Sequence, residues 1–220
     1  MSAQAPTSRR AAAPARRGPS KAARARRKKV LRRRLLLMSG LVLVATILWV
    51  RPFADKAVHE ISLPLRHEDI IRQQAADKDL DPSLIAGVIY VESRFRDQTS
   101  RAGAKGLMQI LPSTADYIAR KSGGTRFTQG DLASPQINIA YGSWYLRYLL
   151  QHYHGNELLA IAAYNAGEGK VDEWYRDAVA RGEDFQVTTH IPFTETRNYV
   201  TRVLDARQRY RAAYSRELGL

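Results

Sequence analysis

A single carboxylate lies in line with the apolar stripe of one predicted helix. The segment PSLIAGVIYVESRF, residues 82–95, is almost entirely apolar until its glutamate. A spacing of i, i+3, i+4 and i+7 places four residues on one helix face: Ile85, Val88, Ile89 and Glu92. A carboxyl group on a buried face loses the solvation of its charged form, which raises its pKa unless a cation pairs with it. Because a general acid must be protonated near neutral pH, Glu92 is a candidate catalytic residue.

A purely structural role for Glu92 is the alternative, since Arg94 or Arg96 could pair with it at the surface near the helix end. The next segment favours chemistry. SRAGAKGLMQILPSTA, residues 100–115, sets glycines around an apolar run that holds the amide of Gln109. Glycines allow close backbone approach, and backbone groups with an amide suit an extended substrate that bears hydroxyl and acetamido groups. An ordinary turn between two helices remains the other interpretation of this segment.

The residue totals narrow the classes of function. The chain of 220 residues has no cysteine, which excludes disulfides, thiolate zinc sites and cysteine nucleophiles. Its formal net charge is +14, but 13 of its 35 Lys and Arg lie in residues 1–34, where there is no acid. The other 22 bases (35 minus 13) face all 21 acids in residues 35–220, a net of +1. The net charge therefore comes almost entirely from a basic tail. It does not indicate what the near-neutral remainder of the chain binds.

Composition divides the chain into four predicted parts. Residues 1–34 have little to bury and are expected to form a disordered cytoplasmic tail. Residues 35–50 carry no charge and are predicted to be a transmembrane anchor, followed by a linker at 51–61 and a folded domain at 62–220. The anchor is short, because 16 helical residues cover about 24 Å of a hydrocarbon core of about 30 Å. Arginines at both of its ends can snorkel to the interfaces.

Bases before the span predict a single-pass protein of the cytoplasmic membrane, with the N-terminus inside and the domain periplasmic or otherwise extracytoplasmic. A cleaved signal peptide is the alternative, although its basic region would be unusually long and no convincing cleavage site follows Val50. A nucleic-acid-binding tail is disfavoured because no aromatic residues interleave with the bases. Contact with anionic lipid headgroups would account for the same charges.

The folded domain is predicted to be all-α. Asp81 is expected to cap a helix that begins at Pro82. A Ser or Thr should begin the helix in STADYIARKSGG, and Asn156 and Gly167 should begin and end the one in NELLAIAAYNAG. Long helices are expected in SPQINIAYGSWYLRYLLQHYHG and TETRNYVTRVLDARQRYRAAY. No alternating strand pattern or phosphate loop is apparent, and the five histidines form no convincing ligand pair, so neither a metal nor another cofactor is predicted.

Four blocks in order resemble the signature of the soluble-type lytic transglycosylase family: ESRF, SRAGAKGLMQILPSTA, AYNAGEGKV and ETRNYV. The resemblance runs from about residue 63 to residue 210 and includes DLASPQINIAYGSWYL. It implies a lysozyme-like, goose-lysozyme-related SLT domain that acts on the glycan strands of bacterial peptidoglycan. Such strands lie outside the membrane, which fits an anchored domain that faces outward.

The resemblance also implies residue roles, with Glu92 matching the catalytic acid/base. Positions matching substrate-binding residues are Ser100, Met108 and Gln109 near the cleaved bond, Tyr164 beside the catalytic carboxyl, Asn165, Glu195, and Tyr199 as a groove aromatic. Tyr164 and Asn165 can equally be a helix end before Gly167, and Glu195 can be a helix N-terminal charge favoured by the dipole.

The mechanism that the resemblance implies uses one carboxyl group. Glu92 would protonate the oxygen between N-acetylmuramic acid and N-acetylglucosamine and then accept the proton of the C6 hydroxyl, which closes a 1,6-anhydro ring without water. A hydrolase of the same fold is one alternative, and it needs a second carboxylate, for which Asp97 is the nearest in sequence. An inactive wall-binding module is the other, and it would not need a carboxylate on an apolar face.

Overall fold

The computed structural model describes residues 37–41, 43–51, 61–123 and 127–220. The chain divides into two units, Met1–Lys56 and Ala57–Leu220. In the first unit, residues 37–41 and 43–51 are helical and exposed. No helix in the described part of the chain combines the length and apolar composition that crossing a membrane requires. The anchor at 35–50 therefore stays a prediction, and the tail at 1–34 and most of the linker lie outside the described residues.

The second unit is built of helices, which confirms the all-α class for the residues described. In chain order they are α1 Glu68–Lys78, α2 Pro82–Ser93, α3 Pro112–Ser122, a 3₁₀ helix Gln129–Ala133, α4 Pro135–His152, α5 Glu157–Ala166, α6 Glu168–Ala180, α7 Val187–His190, α8 Thr194–Ala213 and α9 Ser215–Leu218. Lys105 forms isolated antiparallel bridges with Thr99 and with Ile110. These bridges fold the glycine-rich loop between α2 and α3 back on itself.

The helix ends follow the local sequence in most places. The Asp81 side chain accepts a hydrogen bond from the backbone N–H of Ser83 at 2.9 Å, with Pro82 in the first turn, as predicted. Asn156 caps α5, and Gly167 ends it, also as predicted. The expected Ser or Thr cap of α3 is wrong, because the helix begins at Pro112, before both candidates, and its N-cap is Leu111. Proline suits a first helical position, where its missing N–H costs no hydrogen bond.

Helix α6 was not among the predicted helices. Gly167 ends α5 with φ 89° and ψ 143°, and α6 begins at the next residue, Glu168. A glycine adopts this backbone conformation at little steric cost. One residue therefore turns the chain between two consecutive helices, and a sequence interpretation that ended at Gly167 missed the second.

Helices α2 and α8 pack closely and fix the position of Glu92. A Cβ added to Gly87 of α2 would lie 3.0 Å from the backbone nitrogen of Arg207 and 3.2 Å from the carbonyl oxygen of Val203. Both contacts are with backbone, so a side chain at this position would push the helices apart. The glycine therefore lets α8 approach α2, and the same contact brings Tyr199 of α8 to Glu92 of α2.

Candidate active site

Glu92 lies in the last turn of α2, half-buried beneath α8. The helix ends directly after it, where Arg94 adopts a left-handed conformation. The Tyr199 hydroxyl donates a hydrogen bond to Glu92 Oε1 at 2.6 Å. Burial raises the pKa of the Glu92 carboxyl to about 7, although the Tyr199 hydrogen bond and the positive charge of Arg202 oppose the rise. Near neutral pH the group can therefore both lose and gain a proton.

Tyr199 is hydrogen-bonded to the Glu92 carboxyl group and does not face an open groove. Its side chain is 3 % exposed, so little of the ring is available to a ligand. Burial and the negative charge of Glu92 raise its own pKa well above the usual value. Its hydroxyl consequently stays protonated and remains a hydrogen-bond donor to Glu92 over the whole neutral range. The predicted groove aromatic is thus placed beneath the site.

Tyr164, on α5, lies near enough to Glu92 to be affected by its charge. Its hydroxyl donates to the backbone carbonyl oxygen of Met108 at 3.1 Å. Burial and the charge of Glu92 raise the pKa of Tyr164 well above its usual value. Met108 itself is 0 % exposed, and its side chain fills the space left by Gly142, where a Cβ would lie 2.4 Å from the sulfur. The Met108 side chain therefore does not line a groove; its carbonyl oxygen holds Tyr164.

The glycine-rich loop holds Gln109 in an unusual conformation. Gln109 has a φ of 48°, in the left-handed region that non-glycine residues rarely adopt. Its side-chain amide donates to the carbonyl oxygens of Gln98 at 2.9 Å and Gly106 at 2.7 Å. The Ser93 hydroxyl, next to Glu92 in sequence, donates to the carbonyl oxygen of Leu107 at 2.7 Å. These contacts connect the loop to the end of α2 that carries the glutamate.

A cavity of about 180 Å³ adjoins this loop. Polar and aromatic residues from the loop and three helices share its lining: Gln109, Thr114, Tyr145, Tyr164 and Asn165. The Asn165 side-chain oxygen accepts a hydrogen bond from Thr196 of α8 at 2.9 Å, which links the end of α5 to the start of α8. Three predicted site residues, Gln109, Tyr164 and Asn165, therefore meet at one cavity.

Two predicted site residues are placed differently. The Ser100 hydroxyl accepts a hydrogen bond from the backbone N–H of Ala104 at 3.0 Å, closing a turn of the loop. Glu195 is exposed in the first turn of α8. Within the described residues, neither side chain forms a hydrogen bond with Glu92. Of the predicted residues, the structure thus joins Tyr199 directly to the carboxyl group and gathers three others at the cavity.

Several residues at the site were missed by the sequence interpretation. Tyr145 lines the cavity with its ring centroid 5.6 Å from that of Tyr164. Its signal was available, because Tyr141, Tyr145 and Tyr148 have the i, i+4, i+7 spacing of one helix face. Thr196 had no such signal, since its contact with Asn165 depends on how α8 packs.

One cluster of metal-ligating side chains lies on α4 and α6. Ligand atoms of His152, Glu168 and Asp172 all lie within 4.8 Å of one another. The two ring nitrogens face different carboxylates, Nε2 toward Asp172 at 2.9 Å and Nδ1 toward Glu168 at 3.7 Å. A histidine that bridges two carboxylates in this way is typical of a surface hydrogen-bonded pair, so the cluster is a weak candidate for a metal.

Comparisons with known proteins identify the family of this chain. The family Transglycosylase SLT domain matches residues 69–186. The soluble lytic murein transglycosylase of Escherichia coli (strain K12) is 35 % identical over 155 residues, covering 69 % of this chain and 24 % of that protein. The membrane-bound lytic murein transglycosylase C of Actinobacillus pleuropneumoniae serotype 5b is 34 % identical over 162 residues, covering 64 % of this chain and 44 % of that protein.

Solved structures give the same result. An inactive mutant of the lytic transglycosylase Slt from Pseudomonas aeruginosa matches with a TM-score of 0.64 and 33 % identity, over 71 % of this chain and 26 % of that one. The complex of a 70-kDa soluble lytic transglycosylase with bulgecin A matches with a TM-score of 0.64 and 33 % identity, over 70 % of this chain and 25 % of that one. This chain spans about a quarter of the length of the first curated relatives. Because the family match covers more than half of its residues, the chain belongs to the transglycosylase SLT domain family.

Proposed function

We propose that this protein is a lytic transglycosylase that cleaves the bond between N-acetylmuramic acid and N-acetylglucosamine in peptidoglycan. Family membership supports the reaction class, and the relatives named above are lytic murein transglycosylases. The observation that carries the proposal is the environment of Glu92. It is a half-buried carboxyl group with a pKa of about 7 and a permanent hydrogen-bond donor, Tyr199.

In the proposed reaction Glu92 acts twice. As a carboxylic acid it protonates the glycosidic oxygen, and the bond from that oxygen to C1 of the muramic acid breaks while the acetamido group of the same sugar stabilises the positive charge at C1. The Glu92 carboxylate then takes the proton of the C6 hydroxyl, and that oxygen bonds to C1. The products are a free hydroxyl on one sugar and a 1,6-anhydro ring on the other, and Glu92 is again protonated. One group can serve as acid and base because its pKa lies near the working pH.

Neighbouring residues have supporting roles in this proposal. Tyr199 stabilises the anion that Glu92 becomes after it donates its proton. Gln109, Tyr164 and Asn165 line the cavity and bind a sugar ring with their polar groups. Ser100 and Glu195 are proposed to contact substrate at greater distance from the reacting bond, on the strength of the family resemblance.

A hydrolase of the same fold is the second candidate function. It requires a second carboxylate that activates water across the sugar from the acid. Asp97, the candidate nearest in sequence, is exposed in the loop after α2. Within the described residues its side chain has no hydrogen-bond or ion-pair partner to hold it in place for that role, so the single-carboxylate reaction is preferred.

The product identifies the function. The full-length chain is incubated with purified peptidoglycan, and the released muropeptides are identified by mass spectrometry. We expect products that end in 1,6-anhydromuramic acid, and a loss of about a thousandfold in their rate of release with Glu92→Gln. Asp97→Asn is the matched control, because it removes an exposed carboxylate five residues away, and it should release the same products at the same rate.

Other outcomes identify the rivals. Muropeptides with reducing muramic acid ends, lost with Asp97→Asn, identify the hydrolase. Binding to peptidoglycan without any released product, and unchanged by Glu92→Gln, identifies a wall-binding module.

We also propose that residues 35–50 hold the protein at the cytoplasmic membrane with its C-terminal domain outside. The uncharged segment, with Arg32, Arg33 and Arg34 before it and Arg51 after it, supports this placement, as does a relative named as membrane-bound. The basic residues of 1–34 would then contact anionic lipid headgroups. Retention of the full chain in alkali-washed membranes, lost when residues 1–50 are deleted, tests the placement; release of the full chain by alkali contradicts it.

A further inference from the structure

A fully buried amide on α4 is hydrogen-bonded entirely to the backbone of other segments. The side chain of Asn138 is 1 % exposed. Its oxygen accepts a hydrogen bond from the backbone N–H of Met108 at 2.8 Å. Its nitrogen donates to the carbonyl oxygens of Lys105 at 3.0 Å and Leu132 at 3.1 Å. Both ends of the amide are thus satisfied, and two of the three bonds hold the glycine-rich loop.

The loop is shaped to fit this amide. Gly106 lies between the two loop residues that Asn138 binds, with a φ of 76°. A Cβ at Gly106 would lie 2.1 Å from the Asn138 nitrogen, far inside van der Waals contact. The loop backbone therefore lies directly on the asparagine, at a distance that only glycine allows.

The residues that Asn138 holds are next to the proposed active site. The carbonyl oxygen of Met108, whose N–H Asn138 binds, accepts the hydroxyl of Tyr164. Gln109 follows Met108 with a φ of 48°, and both Gln109 and Tyr164 line the cavity. A shift of the Met108 backbone would move both of these groups together.

From these contacts we infer that Asn138 is a positioning residue for the reaction: it fixes the loop so that Gln109 and Tyr164 meet the sugar beside Glu92. The inference rests on the proposed function. It differs from a general contribution to folding, because Asn138 acts on two named groups at the site. A misplacement of about 1 Å of groups that orient a substrate is enough to cost about a hundredfold in rate.

The same helix offers a matched control. Ser143 lies five residues further along α4, is also polar and is 0 % exposed. Within the described residues its hydroxyl has no hydrogen-bond partner. Ser143→Ala therefore changes a buried polar residue of α4 without removing a hydrogen bond to the loop.

The test measures the release of anhydro products by the full-length chain, corrected for the folded fraction by circular dichroism at the assay temperature. We expect Asn138→Ala to lower kcat/KM about 10- to 100-fold and Ser143→Ala to leave it unchanged. In a double-mutant cycle with Gln109→Ala, the two losses should fail to multiply, because both act through the same group. The inference would be overturned if the fold-losses in kcat/KM of the two single variants multiplied fully in the double variant. It would also be overturned if the unfolded fraction of Asn138→Ala accounted for its whole loss of activity.

A conservative variant extends the test to the case in which Asn138→Ala does not fold. Asn138→Asp keeps the volume and the acceptor for Met108, but its second oxygen faces the carbonyl oxygens of Lys105 and Leu132. Protonation of this buried carboxyl group restores one donor. Its activity relative to the parent chain should therefore rise as the pH falls, and a pH-independent ratio near one contradicts the inference.

A parent chain that releases no anhydro product would overturn the proposed function and this inference together, whereas an active parent with fully active Asn138 variants overturns this inference alone.

Discussion

The two ends of helix α2 carry carboxyl groups whose pKa values move in opposite directions. Asp81 caps the N-terminus, and Glu92 lies in the last turn. Burial raises the pKa of Glu92 to about 7. Burial also acts to raise the pKa of Asp81, but hydrogen bonds from Ser83, Arg211 and Arg207 outweigh it and lower the pKa. One helix thus holds one carboxyl group that stays charged and another that can change its protonation.

The difference lies in the partners and not in the degree of burial alone. Arg207 Nη2 lies 2.8 Å and Arg211 Nη2 3.0 Å from Asp81 Oδ2, and Ser83 donates to the other oxygen through its N–H and its hydroxyl. Glu92 accepts a hydrogen bond from one neutral donor, Tyr199, and Arg202 affects the pKa of Glu92 only through its charge. Charged donors favour the ionised form far more than a neutral one does. A buried carboxyl group therefore stays ionised where charged donors bind it, and it can be protonated near neutral pH where they do not.

The largest expected effect is a difference in how stability depends on pH. The pKa of Glu92 is raised in the folded state from an ordinary 4.5 to about 7. Its contribution is therefore fully present below pH 4.5 and is lost as the pH rises through 7. Glu92→Gln resembles the protonated form at every pH and does not titrate. As the pH rises from 4.5 to above 7, the free energy of unfolding of this variant should therefore increase by about 3 kcal/mol relative to that of the parent.

Denaturant unfolding of both chains at several pH values, with equal salt, measures this gain. If plots of the free energy of unfolding against pH stay parallel for the two chains from pH 4.5 to 8, the pKa of the Glu92 carboxyl group is not raised. A loss of stability that both chains share as the pH falls below 4 belongs to Asp81 instead, because a lowered pKa gives stability that is present above the ordinary value and lost as the pH falls through the folded one.

The second prediction concerns the other end of the helix. Asp81→Asn keeps a good capping oxygen but removes the negative charge that Arg207 and Arg211 share. The free energy of unfolding at pH 7 should fall by about 2 kcal/mol, since the pair is only partly exposed and its hydrogen bonds are charged.

Catalysis is the control for this second variant. Asp81 lies eleven residues before Glu92, at the far end of α2, so kcat per folded molecule and its pH profile should match the parent. A changed pH profile would mean that the two ends of the helix are coupled, and the comparison between them would fail.

Much of the fold could be predicted because its signals are local. The caps Asp81 and Asn156 and the stop at Gly167 are read from single residues, and each lies where the sequence places it. Glu92 could be assigned to the same face as Ile85, Val88 and Ile89 because their i, i+3, i+4 and i+7 spacing is a property of one helix. Patterns of this kind require no knowledge of how the helices pack.

The contacts that define the site are not local. Tyr199 and Glu92 are 107 residues apart, and the family resemblance suggested a groove aromatic at Tyr199 where the structure has a buried donor. Met108 was expected to line the groove, yet Gly142 on another helix makes room to bury it. Asn138 interrupts an apolar helix pattern just as Glu92 does, but its function depends on a loop 30 residues away. Only the tertiary packing shows that Glu92 accepts a single neutral hydrogen bond whereas the amide of Asn138 is fully hydrogen-bonded to backbone.

The smallest expected effect sharpens the comparison at Glu92 itself. Tyr199→Phe removes the hydroxyl that donates to Glu92 Oε1 and keeps the buried ring. Because this hydrogen bond lowers the pKa of Glu92, its loss should raise that pKa further and move Glu92 away from the behaviour of Asp81. The acid then stays protonated to higher pH, so the falling limb of kcat/KM should shift in the alkaline direction. The maximal rate should drop about tenfold, since the anion formed in the first step loses a hydrogen bond. Rates of anhydro-product release from pH 5 to 9 measure both changes, and a limb that stays in place or moves toward acid would show that Tyr199 does not act on the carboxyl group.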